Sequence, residues 1–117
     1  MIYYKKNQVF EPVDENTERC VVTHSDEIMA VRVRFKGTTS EVGLHQHIEE
    51  QVTYVVRGKL KFFENEKEYL VEAGDMLRFA SNVPHGCIVL EPDSEVLDTF
   101  TPIRKDFLEI ADVRETE

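Results

Sequence analysis

Three of the four histidines in this chain fall in two short segments, and their spacing suits the binding of a metal ion. His45 and His47 are separated by one residue, so in an extended backbone their side chains point to the same face. Such a pair holds an ion from one side only, and Gln51 and His85 are the candidates for completing the set. The alternative is a pair of surface histidines near a turn. The spacing to Gly58 and the later Pro-His-Gly sequence favour the metal site.

The same two segments resemble the two sequence motifs of the cupin family. Residues 43–58 read GLHQHIEEQVTYVVRG: His-x-His, three residues, an amide, six residues and a glycine. Residues 74–87 read GDMLRFASNVPHGC: Gly-Asp, an apolar run and Pro-His. The resemblance covers about Val31 to Phe107, and many cupins have glutamate where this chain has Gln51. It implies an all-β fold, the cupin double-stranded β-helix or jelly-roll barrel. The length of 117 residues predicts that residues 1–117 form one domain.

The elements that would position these residues are short strands separated by regular turn signals. After residue 43 such signals recur every seven to nine residues, which is typical of antiparallel strands in a sandwich or barrel. We expect a hairpin of 59–63 with 67–71, a second pair of 76–79 with 85–90, and a long strand at 95–101. A bent strand would carry His45, His47 and Gln51, and His85 would face it across the interior. Further strands are expected at 20–22, 28–35 and 52–56, with His24 in a turn at 23–26 and a short helix over 104–111.

Alternation on the strand that begins at residue 28 indicates a half-buried sheet. Val31, Val33 and Phe35 alternate with Arg32, Arg34 and Lys36, here called the basic row. The basic row could be a ligand surface. A solvated face paired with the abundant acidic residues is the favoured interpretation.

The candidate ligands are all neutral, and this bears on the chemistry of a bound ion. Imidazole nitrogen and amide oxygen suit late first-row divalent metals better than calcium. Ligand type alone does not choose among nickel, manganese, iron, zinc and cobalt. Without a carboxylate ligand, the full double charge of the ion is left to act on a substrate, so the site would be a strong Lewis acid.

A third informative stretch is LDTFTPIRKDF at residues 97–107. Asp98 and Phe100 share a strand face, and burial beside an aromatic ring raises a carboxyl pKa toward the range a proton donor needs. Arg104, just beyond Pro102, could bind a carboxylate with its planar fork. From residue types alone, the favoured alternative is that Asp98 caps a turn and Arg104 forms a surface ion pair. The cupin motifs shift the balance toward the functional interpretation.

Together, HxHxxEQ, NVPHG and DTFTPIRKDF resemble the small single-domain cupins of pectin and alginate breakdown. Those proteins convert 4,5-unsaturated monouronates into linear keto-uronates. The resemblance implies that a divalent metal is bound by the four residues named above, that Asp98 and Arg104 are catalytic, and that Phe100 binds substrate. An iron-dependent cupin dioxygenase and a non-catalytic cupin that binds a sugar acid or metal are the alternatives.

The net charge, the apolar segments and the cysteine count of the chain bear on its binding partners and its location. The net charge of −9 argues against nucleic acid and anionic membranes, because both require a basic face. The chain starts without a signal-like apolar run and has no segment as long as a transmembrane helix. Cys20 and Cys87 are too few for a disulfide framework, and Cys87 is expected to be a small core residue. We expect a cytoplasmic protein.

Residues 52–56 are apolar on both faces, which predicts contact with a partner. If Gln51 points inward, the opposite row of Val52, Tyr54 and Val56 also needs cover. A second sheet layer or a second subunit would provide it. Many cupins dimerise, so the resemblance also implies a homodimer.

Overall fold

The computed structural model describes residues 1–108, and its regular structure there consists almost entirely of β-strands. A 3-10 turn at Lys5–Asn7 precedes the sheets, and a helical turn covers 105–108. No helix in the described range is long and apolar enough to cross a membrane. The strands are β1 (Glu11–Pro12), β2 (Thr17–His24), β3 (Met29–Phe35), β4 (Glu50–Arg57), β5 (Lys59–Glu64), β6 (Lys67–Glu72), β7 (Met76–Phe79), β8 (His85–Val89) and β9 (Glu95–Thr101).

These strands form two antiparallel sheets, in the all-β arrangement expected from the sequence. The larger sheet has the order β1-β2-β3-β9-β4-β7, and the smaller has the order β6-β5-β8. The predicted hairpin of 59–63 with 67–71 is confirmed as β5 and β6. The predicted pairing of 76–79 with 85–90 is wrong, because β7 pairs with β4 whereas β8 pairs with β5 in the other sheet. The chain crosses from one sheet to the other between β7 and β8, as jelly-roll connections do.

An apolar core fills the space between the sheets, because alternate residues of each strand point inward. The inward row of β4 is Gln51, Thr53 and Val55, and all three are buried. On β9, Asp98 lies opposite Thr53 and Phe100 lies opposite Gln51. The main core cluster consists of Val55, Leu60, Phe62, Val71, Phe79, Val89 and Val96. The polar residues Gln51 and Thr53 therefore lie on the same strand face as Val55 of this cluster.

Gly58, the last residue of the first motif, makes the tight connection between β4 and β5 possible. Its φ of +89° lies in the left-handed region that favours glycine. A Cβ at this position would overlap the side chain and main chain of Ser94, which is fully buried. Ser94 leads directly into β9, so a larger residue at position 58 would displace the strand that carries Asp98.

Two local predictions need adjustment. His24 is the last residue of β2 and not a turn residue, and the turn lies after it, where the Ser25 N–H donates to the Ile28 carbonyl at 2.8 Å. The helix expected over 104–111 is represented by the helical turn at 105–108. Positions 109–111 lie outside the described residues.

The two arginines of the basic row pair with an acid, but that acid is buried. Arg32 and Arg34 donate to Glu95 at 2.8 and 3.0 Å, and Arg57 lies 3.4 Å from the same carboxylate. Glu95 is only 1% exposed. Burial by itself would raise the pKa of Glu95, but hydrogen bonds from Arg32 and Arg34 outweigh it, and the pKa is lowered. This ion cluster joins β3 to the first residue of β9.

The outward face of the larger sheet carries an apolar patch made of Val52, Tyr54, Val56, Met76 and Leu97, here called the outer patch. Tyr54 is 38% exposed and Met76 is 65% exposed. The strand register places Met76 and Leu97 on either side of Tyr54. The row of Val52, Tyr54 and Val56, which we expected to need cover, is therefore at least partly exposed to solvent in the single chain.

Candidate metal centre

Main-chain pairing brings His45 beside His85. The N–H group of each residue donates to the carbonyl of the other at 2.9 Å, which forms an isolated antiparallel bridge. Gly86 permits this close approach, because a Cβ at position 86 would lie 2.7 Å from the Gly43 carbonyl oxygen. The segment before the first histidine is thus held against β8 by its backbone.

The remaining residues of the cluster come from a loop and from the opposite sheet. His45 and His47 precede β4, and only Gln51 belongs to it, so the prediction of one bent strand carrying all three is wrong. His85 does face Gln51 from the other sheet. The candidate ligand atoms of the three histidines all lie within 4.8 Å of one another. His45 is exposed and His85 is buried, so the cluster opens to solvent on the side of His45.

Main-chain carbonyls fix the orientation of two of the imidazoles. Nδ1 of His47 lies 2.9 Å from the Glu49 carbonyl oxygen, and Nδ1 of His85 lies 2.9 Å from that of Val83. A carbonyl only accepts, so Nδ1 carries the hydrogen in both rings and Nε2 is left with a lone pair. Phe79 stacks on His85 with ring centroids 4.4 Å apart. Both Nε2 lone pairs are therefore presented by rigidly held rings.

The amide of Gln51 turns its oxygen toward these lone pairs. The Thr53 hydroxyl donates to Asp98 Oδ1 at 2.7 Å, and the Gln51 amide nitrogen donates to Thr53 Oγ1 at 2.8 Å and to Asp98 Oδ1 at 3.2 Å. Gln51 Oε1 then lies 3.2 Å from His47 Nε2 and 3.1 Å from His85 Nε2. These three atoms are all acceptors, and they repel one another unless a cation lies among them.

Burial favours the neutral form of two of the imidazoles, those of His45 and His85. Burial lowers the pKa of His45, and it lowers the pKa of His85 to about 4. Main-chain hydrogen bonds act in the opposite direction, whereas neighbouring imidazoles and Arg104 act in the same direction as burial. A neutral imidazole is the form that coordinates a divalent ion. The donor set fits such an ion: the three histidines can hold one, and the Gln51 oxygen is placed to join them.

Asp98 lies behind Gln51, on the side away from the histidines. Its position in the middle of β9 rules out the alternative that it caps a turn. Burial raises the pKa of Asp98 to about 6, although hydrogen bonds from Thr53 and Gln51 and the charge of Arg104 act in the opposite direction. A carboxyl with a pKa near neutrality can both donate and accept a proton at physiological pH.

Phe100 and Arg104 flank the cluster. Phe100 is 2% exposed and packs its ring against His47, with centroids 5.7 Å apart, so it forms the wall of the site. Arg104 forms an ion pair, which was the alternative interpretation of this residue. Its Nε and Nη2 lie 3.1 and 2.9 Å from the Asp106 carboxylate. It is nevertheless only 16% exposed, and its guanidinium lies 4.3 Å from the Phe107 ring centroid. Arg104 is therefore held at the edge of the site.

Sequence reasoning missed Thr53 and Glu49. Thr53 is fully buried and links Gln51 to Asp98. A polar residue two positions after Gln51 on an otherwise apolar strand face was the available signal. Glu49 places Oε1 3.5 Å from His47 Nδ1 and 3.7 Å from Arg104 Nε. No sequence signal marks it, because its position depends on the course of the loop.

Two surface concavities lie away from the cluster of His45, His47 and His85. One of about 290 Å³ separates the N-terminal segment from β2, and one of about 570 Å³ lies between β6 and β7. The second touches Phe79, the ring that stacks on His85. The histidine cluster remains the candidate site because it combines convergent ligands with a carboxyl whose pKa is raised.

Comparison with known proteins shows which family the chain is similar to. The family model described as cupin domain matches residues 31–98. Pectin degradation protein KdgF of Dickeya dadantii (strain 3937) is 33% identical over 100 residues, which are 85% of this chain and 90% of that protein. The structure of KdgF from Halomonas sp. has a TM-score of 0.86 and 32% identity, covering 92% of this chain and 100% of that one. An RmlC-like cupin from Shewanella frigidimarina NCIMB 400 has a TM-score of 0.82 and 28% identity, covering 89% of this chain and 92% of that one.

The family match includes both motifs, from His45 to His85. The similarity to the KdgF relatives extends over most of the chain. The chain therefore belongs to the cupin family.

Proposed function

We propose that His45, His47, Gln51 and His85 bind one divalent transition-metal ion. The observation that carries this proposal is the placement of Gln51 Oε1 at 3.2 and 3.1 Å from two imidazole lone pairs. Nickel, manganese, iron, zinc and cobalt all suit nitrogen and amide-oxygen ligands.

We further propose that the protein is an enzyme that converts a 4,5-unsaturated monouronate to a linear keto-uronate. The name of the Dickeya dadantii relative supports a role in pectin degradation, and the similarity to both KdgF proteins extends over most of the chain. The conversion is non-oxidative and opens the sugar ring. The anomeric hydroxyl loses its proton and the bond between the anomeric carbon and the ring oxygen breaks, which leaves an aldehyde and an enol. The enol then gains a proton at its sp² carbon and becomes a ketone, so substrate and product are isomers. A bound divalent ion would supply a Lewis acid for the substrate carboxylate or the developing oxyanion.

The chain's own residues would divide the remaining tasks. Asp98 would supply or relay the proton, which requires a carboxyl that stays partly protonated near neutral pH. Arg104 would bind the uronate carboxylate with its guanidinium, in a molecule whose overall charge of −9 repels anions. Phe100 would shape the pocket and exclude water, as its buried ring beside His47 allows.

The test is turnover of a panel of 4,5-unsaturated monouronates by protein stripped of metal and then reloaded with one metal at a time. We expect loss of the ultraviolet absorbance of the double bond conjugated to the carboxylate, with no oxygen consumed. Oxygen consumption by the iron-loaded protein would favour the dioxygenase alternative. Binding of uronates without turnover with any metal would favour the non-catalytic alternative.

We also propose that the outer patch packs against a second copy of the chain, giving a homodimer. Its support is the 38% exposure of Tyr54 in the middle of an apolar strand face. Cytoplasmic location stays a prediction from the sequence, and fractionation of the source cells would test it.

A further inference from the structure

We propose that Glu49 is a positioning residue that connects the metal-binding imidazole of His47 to the guanidinium of Arg104. This inference rests on the metal binding proposed above. The motif assigns no role to Glu49, which lies between the second histidine and Gln51 in the sequence.

The geometry places a single carboxylate oxygen between two functional groups. Oε1 of Glu49 lies 3.5 Å from His47 Nδ1 and 3.7 Å from Arg104 Nε. The side chain is 14% exposed, so water screens these contacts only partly. The main-chain oxygen of the same residue accepts the Nδ1 hydrogen at 2.9 Å. The main chain of Glu49 therefore fixes the tautomer of His47, and its side chain adds negative charge beside the same nitrogen.

A carboxylate beside Nδ1–H makes an imidazole a stronger donor at Nε2, which is the general effect of outer partners on metal-binding histidines. Arg104 Nε lies 3.7 Å from the same Glu49 oxygen, in addition to its closer contacts with Asp106 at 3.1 and 2.9 Å. The negative charge of Glu49 therefore acts on both His47 and Arg104. A change at Arg104 then alters how strongly the Glu49 carboxylate increases the donor strength of His47 Nε2. An anion bound at the guanidinium would in this way change the donor strength of His47 toward the metal.

The adjacent residue provides a matched control. Glu50 is also a glutamate, but its carboxylate is 49% exposed and lies 2.7 Å from Arg78 on the outward side of the sheet. Glu49→Gln and Glu50→Gln remove the same charge from neighbouring positions. Only the first removes it from the side of His47, and both keep the main-chain carbonyls.

The first measurement is the affinity for cobalt(II), by chelator competition, together with the visible spectrum of the cobalt protein. Glu49→Gln should weaken cobalt binding about tenfold, the low end for outer partners of metal ligands, because His47 keeps its main-chain acceptor. Its visible bands should shift, since the donor strength of one ligand changes. Glu50→Gln should match the parent in both readouts. Equal affinity and equal spectra for the parent and Glu49→Gln would overturn the proposal.

The second measurement tests the connection to Arg104. Cobalt affinity is compared for Arg104→Gln made in the parent and made in Glu49→Gln. The effect of removing the guanidinium should differ by about threefold or more between the two backgrounds, as expected for coupled neighbours. Additive effects would overturn the connection. Neither measurement uses a uronate, so a protein that passes both and turns over no uronate would contradict the proposed activity alone.

Discussion

The amide of Gln51 divides the site into two halves with different surroundings. Its oxygen faces the lone pairs of His47 and His85, and its nitrogen donates to Thr53 and Asp98. The sequence motif predicted Gln51 as a ligand candidate. It did not predict the second half, because the contact between Gln51 and Asp98 depends on β4 lying beside β9. Gln51 and Asp98 are 47 residues apart in the sequence.

Replacing Gln51 by glutamate should preserve metal binding and lower turnover by about tenfold or more. The added negative charge reduces the Lewis acidity of the ion. It also places a second carboxylate against Asp98. In the parent, an oxygen of Asp98 accepts a hydrogen bond from the Gln51 amide at 3.2 Å. Metal content and kcat are measured for Gln51→Glu. The control is Gln46→Glu, which adds the same charge at an exposed position of the histidine loop. Turnover equal to the parent would contradict the role of a neutral fourth ligand.

Asp98→Asn should lose most turnover while keeping metal and fold. Asparagine preserves the shape but cannot exchange a proton, and general acid–base catalysis contributes about 10²–10⁴-fold. Steady-state kinetics on an unsaturated uronate, with metal analysis of the same sample, checks this. Asp26→Asn, in an exposed turn, serves as the control. A variant at position 98 that works as fast as the parent would show that the proton comes from another group.

At the scale of elements, the sequence predicted the strands better than their partners. The predicted limits of 76–79 and 95–101 coincide with β7 and β9, because alternation and turn residues are local signals. Pairing of β8 was misassigned, because the hydrophobic pattern does not record that the chain changes sheet after β7. The histidine loop was misassigned to a strand for a related reason: His-x-His has the same appearance in any extended segment.

The ion cluster around Glu95 should contribute to stability by joining β3 to β9. Glu95→Gln should lower the free energy of unfolding by about 2 kcal/mol, the range for hydrogen bonds to charged groups. Urea unfolding at neutral pH measures the change. Glu91→Gln is the control, because its carboxylate is 47% exposed and lies 3.7 Å from Lys59. A loss no larger than that of Glu91→Gln would contradict the assignment.

The difference in the free energy of unfolding between the parent and Glu95→Gln should depend on pH. The pKa of Glu95 is lower in the folded state than in the unfolded state, so its contribution is complete above the unfolded value and is lost as the pH falls through the folded one. The difference between the parent and Glu95→Gln should therefore shrink as the pH falls below about 4.3, the ordinary value for glutamate. A difference that stays constant or grows on acidification would contradict this.

At the scale of the whole molecule, the charge and the outer patch bear on different partners. The charge of −9 disfavours anions at long range, so uronate binding would depend on the local groups at the histidine cluster. The outer patch lies on the outward face of the larger sheet, whereas Gln51 and Asp98 lie on its inward side. Subunit contact through the patch would therefore leave the inward side of the sheet to the site.

We expect a dimer at micromolar concentration, and Tyr54→Asp should make it a monomer, because a charge in the centre of an apolar interface is costly to bury. Light scattering of both proteins measures the mass. Tyr69→Asp is the control, since Tyr69 is 36% exposed but lies on β6 in the other sheet. A parent protein that is a monomer under these conditions would contradict the proposed interface.

The most direct test of the whole account is the metal content of the purified protein and of a double variant, His45→Ala with His47→Ala. After incubation with a divalent transition metal and removal of the excess, the parent should hold one ion per chain. The double variant removes two of the three imidazoles that converge within 4.8 Å, and it should hold almost none while keeping its β-sheet circular dichroism spectrum. Undiminished metal in the folded double variant would contradict the proposed site, and with it the chemistry assigned to Gln51, Asp98 and Arg104.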